Sequence, residues 1–172
     1  MSARRTAHEG TDKTRIFKDR NGQDWQIVLN VNQMKRVRAA LGIDLVNVIT
    51  LDKDGVVKVD MIDRIANDPC LLVDILWVLV EEQAKAISVT DEQFGAALGG
   101  DAIENATKAF LDELVDFFPG AKRLFLKKAV ELSRRYTGDW TRVLEKALDD
   151  PELEKRIEES MRSSASPPAS SD

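Results

Sequence analysis

The chain of 172 residues contains one imidazole, His8, and one thiol, Cys70. That pair cannot assemble a common zinc site, a disulfide framework or an independent Ser-His-Asp triad. Cys70 lies in an apolar run without basic neighbours, and the expectation is a buried, inert thiol. Acid and base work could fall to the carboxylates Glu81-Glu82, Asp91-Glu92, Asp112-Glu113 and Asp116. They sit on segments whose other faces are apolar, so solvated helix faces are expected; a catalytic carboxyl needs burial or a partner to move its pKa.

Two phosphate and cation motifs fail on spacing. Asp52-Lys53-Asp54-Gly55 resembles the start of a calcium loop. With Gly55 at the sixth position, however, the first ligand falls on Thr50 and the twelfth on Met61, where a bidentate carboxylate is required. A turn is expected there. Gly99-Gly100 precedes a helical pattern, but neither a P-loop nor a spaced G-x-G-x-x-G is present, and Asp101 would repel a phosphate. The expectation is a protein without catalytic residues, metal or cofactor.

The remaining lead is binding through surface. Trp25, Trp77 and Phe117 fall where core residues belong, whereas Phe118 and Trp140 lie beside expected chain reversals. Leu153, Ile157 and Met161 form a thin apolar stripe on a strongly charged final helix, too sparse to be buried alone. Phe118, Trp140, Leu153, Ile157 and Met161 are therefore the candidate partner-binding residues.

Charge is laid out unevenly about a formal net of −5. Residues 60–118 carry 3 basic and 13 acidic groups, and residues 119–136 carry 6 basic and 1 acidic. The basic helix with Lys122, Arg123, Lys127, Lys128, Arg134 and Arg135 is read as a counter-surface to the acidic segment. Nucleic-acid binding is the weaker reading, because stacking aromatics and a basic overall balance are missing.

The elements that position these residues follow from local signals. Asn21-Gly22 between Ile16-Phe17 and Trp25 to Leu29 predicts a β-hairpin. Asn30 or Asn32 caps a helix that Gly42 ends, and Asp52 to Gly55 joins a second hairpin or an irregular excursion. Helices are then predicted at 60–67, 69–86, after the Thr90-Asp91-Glu92-Gln93 capping box, and from an Asp101 cap to Phe118. Further helices are expected at about 121–136, after a break at Tyr136 to Asp139, and after Asp149-Asp150-Pro151. The fold class is α+β, predominantly α: N-terminal hairpins followed by a bundle of about six helices. One domain is expected over 13–162 (13–59 hairpin-containing, 60–162 helical), with a flexible arm at 1–12 and a disordered Ser/Pro tail at 163–172. No secretory signal pattern or membrane-length apolar run is seen, and a soluble cytosolic protein is expected.

The order of phrases from Ile16 to Pro119 resembles the tail assembly chaperones of tailed bacteriophages and prophages. It consists of Phe17, Asp19 and Gly22 in an F-x-D-x-x-G start with Trp25, then VNQMKRVRAALGIDL (31–45), NDPCLLVDILWVL (67–79), QAKAISVTDEQFG (83–95), LGGDAIENAT (98–107) and ELVDFFP (113–119). The resemblance implies a non-enzymatic helper that binds the tape measure protein, keeps it soluble and assists tail tube polymerisation. It also implies the tail tube protein as a further partner, residence in the host cytoplasm and absence from the finished particle. No catalytic residue is carried over. Self-association into a homo-oligomer stays open, no membrane partner is expected, and a structural virion component, such as a connector or tail-completion protein, is the alternative.

Overall fold

The computed structural model describes residues 15–148 and 152–164. Strands β1 (Arg15–Lys18) and β2 (Asp24–Ile27) pair antiparallel with Phe17 opposite Trp25. Alternation sends Phe17, Trp25 and Ile27 into the core and leaves Ile16 exposed. Asn30 caps α1 (Val31–Leu41) by accepting from the Gln33 amide, and Gly42 ends it in the left-handed region at φ 69°. A 3-10 turn at Leu45–Asn47 follows, capped by Asp44. The second hairpin is short, with β3 (Thr50–Leu51) paired to β4 (Val57–Lys58). The Asp52 carboxylate accepts from the amides of Asp54 and Val56 at 3.0 and 2.9 Å, the work of a turn-forming side chain.

Seven α-helices occur among the described residues, so the fold is mostly helical with a short N-terminal hairpin sheet. After α2 (Asp60–Asn67), Asp68 caps α3 (Pro69–Ala86) with proline at its first position. Leu72, Ile75, Leu76, Val78, Leu79 and Val80 of α3 are buried nearly all round, so the other elements assemble about it. The Thr90–Gln93 capping box starts α4 (Asp91–Ala97), and α5 (Asp101–Phe117) buries Ala106, Phe110, Leu111 and Leu114. Asp101 does not cap α5. Gly100 holds that position at φ 54°, without a side-chain bond, and Asp101 becomes the first helical residue.

The expected break at Tyr136 to Asp139 is also absent. Helix α6 runs unbroken from Gly120 to Leu148, and α7 spans Leu153–Ser164. No proline interrupts α6, and a lone glycine such as Gly138 costs a helix only about 1 kcal/mol relative to alanine. Packing divides the chain into two compact units, Met1–Val130 and Glu131–Asp172. The buried hydrophobic core lies within the first unit. The second consists of the α6 residues from Glu131 onward and α7. The arm at 1–12, the Asp149-Asp150-Pro151 helix start and the tail from 165 lie outside the described residues. Among the described residues, no helix is long and apolar enough to cross a membrane.

Charge pairs tie local corners. Arg38 pairs with Asp44 across the Gly42 turn, and its hydrogen bond, followed by those from Val46 and Asn47, holds the Asp44 carboxyl below the usual carboxylate range. A depressed folded-state pKa gives stability that is complete above the ordinary value and lost as pH falls through the lowered one. The urea midpoint of Asp44→Ala should therefore lie below that of the parent at neutral pH. The two should converge as the solution is acidified through the carboxylate range. An offset that persists in acid would assign the effect to something other than this charge.

Candidate functional site

The hairpin start that carries the resemblance is built around one carboxylate. Asp19 is only 7% exposed. Its Oδ1 accepts from the Asn21 and Gln23 amides at 2.8 and 3.0 Å, and its Oδ2 from the Trp25 indole N–H at 2.9 Å. Gly22 supplies the positive φ of 82° that closes the loop. Phe17, Asp19, Gly22 and Trp25 thus make one structural unit. Five hydrogen bonds dock it. The Arg20 amide donates to the Ala97 carbonyl and the Arg20 side chain to the Gly99 carbonyl, so the guanidinium lies where a Gly99 side chain would stand. The Gln83 side chain both donates to the Gln26 carbonyl (2.7 Å) and accepts from the Gln26 amide (3.0 Å), as a neighbouring strand would. The Leu29 amide donates to Glu113 of α5.

From this hairpin a row of rings leads outward to a groove. Phe94 of α4 stands edge-on to Trp25, with centroids 5.0 Å apart, and 5.7 Å from Trp77 of α3. Trp77 is half-buried, and with Leu41 and Val78 it lines an open groove of about 570 Å³ between α1 and α3. Asp74, Glu81 and Asp91 bring carboxylates to that groove, and Arg36 a guanidinium. Glu81 is paired with Arg36 at 2.8 Å and Lys85 at 2.9 Å. The Lys85 hydrogen bond, with Arg36 adding to it, holds the Glu81 carboxyl below the usual range. Asp74 and Asp91 are exposed. A second cleft, about 520 Å³, is lined by Asn21, Gln23, Ile87, Ser88 and Gln93 beside the hairpin loop, where the Asp19 carboxylate is already engaged.

Two sequence expectations are corrected. Phe118, a candidate partner anchor, is 4% exposed and belongs to the core. The extended backbone after α5 turns its ring inward, edge-on to Phe117 at 5.0 Å and beneath the Lys122 ammonium at 4.1 Å. Cys70, expected to be buried, is exposed. It stands two residues before Leu72, about 200° round the helix and hence on the opposite side from that buried leucine.

The other candidates are placed as follows. Leu153 is half-buried, whereas Ile157 and Met161 are exposed on the same face of α7. Trp140 lies on α6, with its side chain outside the described residues. The basic residues Lys122 to Arg135 all lie on α6, but the first two act on backbone carbonyls rather than on carboxylates. Lys122 donates to the Val46 carbonyl, and Arg123 to those of Asp116 and Phe118 at the end of α5. Cations there suit the negative end of the helix dipole.

Sequence reading missed the groove, because Leu41, Trp77 and Asp91 come from three separate helices. It also missed exposed Leu124, Leu144 and Leu148, which helical spacing alone does not distinguish from core. Among the described residues, no group of three His, Cys, Asp or Glu side chains is placed to hold a metal ion. No family model, curated protein or solved structure matches the chain.

Proposed function

We propose that the chain is a phage tail assembly chaperone. It binds the tape measure protein, holds it soluble in the host cytoplasm and assists tube polymerisation, without catalysis. The observation that carries this reading is the uncovered apolar surface of the second unit: Val143, Leu144 and Leu148 of α6, and Ile157 and Met161 of α7, the last 69% exposed. Large apolar side chains left in water on helices suit an apolar helical client, which can lay its own stripe against them. The resemblance over Ile16 to Pro119 supplies the client's identity, and the net charge of −5 favours keeping such a complex dispersed.

Co-expression with a tape measure protein tests the reading. The client should move from the pellet to the soluble fraction and co-purify with the chain. Leu144→Glu with Ile157→Glu should return most of it to the pellet while leaving the buried core of the first unit untouched. A client equally insoluble with and without the chain would overturn the proposal. Recovery of the chain in stoichiometric amount from purified particles would point instead to a structural virion component.

A further inference from the structure

The first unit carries two surfaces that complement each other and do not meet within one copy. One is the α1–α3 groove, with Trp77, Leu41 and Val78 along it and carboxylates from Asp74, Glu81 and Asp91 against the single Arg36 guanidinium. The other is the opening stretch of α6. Its Leu124 is 70% exposed and Phe125 41%. Between Gly120 and Val130 the helix carries Lys122, Arg123, Lys127 and Lys128 and no acidic residue. Leu124, Lys127 and Lys128 are three and four residues apart and so form one contiguous patch. The other face of this stretch is occupied, with Leu126 and Val130 buried.

We propose that the groove receives the Leu124–Lys128 stretch of a second copy of this chain. Leu124 or Phe125 enters beside Trp77, and Lys127 and Lys128 reach Asp74 and Asp91. Charge complementarity selects this occupant. The acidic groove needs an apolar side chain flanked by cations, and the same unit displays that combination on an exposed helix face. Groove and helix are different surfaces, so two copies either exchange them reciprocally in an isologous two-fold dimer or pass them head to tail in a heterologous ring or chain. The contact uses none of the second-unit residues assigned to the client, so either reading can fail without the other.

Sedimentation of the full chain over a concentration series, at low and at high salt, tests the inference. Mass should rise with concentration at low salt, and the association should weaken as salt screens the ion pairs. Lys127→Glu with Lys128→Glu should weaken it by about tenfold or more, as should Asp74→Lys with Asp91→Lys, since each places like charges together. All four side chains are exposed, and unchanged far-ultraviolet circular dichroism and melting would show that both variants fold. The deciding sample is the mixture. Each variant alone should associate more weakly than the parent by that factor, but together the reversed helix of one matches the reversed groove of the other, and association should return. A monomer at every concentration, association indifferent to the reversals, or a mixture that stays monomeric would each overturn the proposal.

Discussion

Phe94→Ala should destabilise the first unit by about 3–5 kcal/mol, the range for truncating a buried phenylalanine. That corresponds to a loss of about 6–20 °C in melting temperature for a chain of this size. The expectation rests on what the ring joins. Helix α4 has only seven residues and cannot persist without packing. It is held through fully buried Phe94 and through Ala97. The ring stands between Trp25 of β2 and Trp77 of α3, so its removal opens a void against both indoles. Thermal melting followed by tryptophan fluorescence should show lower stability and a shifted native spectrum, since both rings lose their shared neighbour. Phe94→Leu keeps most of the volume and should cost about 1.5 kcal/mol or less. A loss below about 1 kcal/mol for the alanine variant would mean that the site collapses around the gap and that the ring row is not what fixes α4.

Features determined within a few residues of chain were legible before the fold was known. The Asp68-Pro69 start of α3, the Thr90 capping box and the Gly42 stop each settle a local backbone choice, and each stands where the spacing put it. The errors came where a local signal competed with something outside it. Thr137 and Gly138 read as a break, yet α6 passes through them, because a weak propensity penalty does not end a helix. Phe118 stood as a candidate partner anchor because it adjoins a proline turn; which side of that turn faces the core depends on α6 packing back. Cys70 read as buried because its sequence neighbours are apolar, although the buried Leu72 occupies the opposite side of α3. The groove was out of reach for a different reason. Arg36 and Glu81, which pair across it, are 45 residues apart, and no periodicity within either helix announces the other.

The hairpin shows the same limit from the opposite direction. Its turn was legible from Asn21-Gly22, but nothing local says that Asp19 would be buried or that it would hold an indole. Asp19→Ala should cost about 3 kcal/mol. It removes the acceptor for three N–H groups, and hydrogen bonds to a charged group contribute about 1.5–3 kcal/mol each when lost without replacement. The two loop amides lie nearer solvent and recover part of this from water, whereas the Trp25 N–H is buried and does not. Asp19→Asn keeps an acceptor for one side of the site but turns an amide donor toward another donor, so about 1–2 kcal/mol is expected. A double-mutant cycle separates the indole bond from the loop bonds. Trp25→Phe keeps most of the ring and removes the N–H, leaving the Asp19 oxygen that faced it without its donor. Coupling between Asp19→Ala and Trp25→Phe should reach about 1–2 kcal/mol by urea unfolding. Coupling near zero would mean that the carboxylate acts on the loop alone. The ring row would then be held by packing, and the hairpin and the groove would respond independently to changes at Asp19.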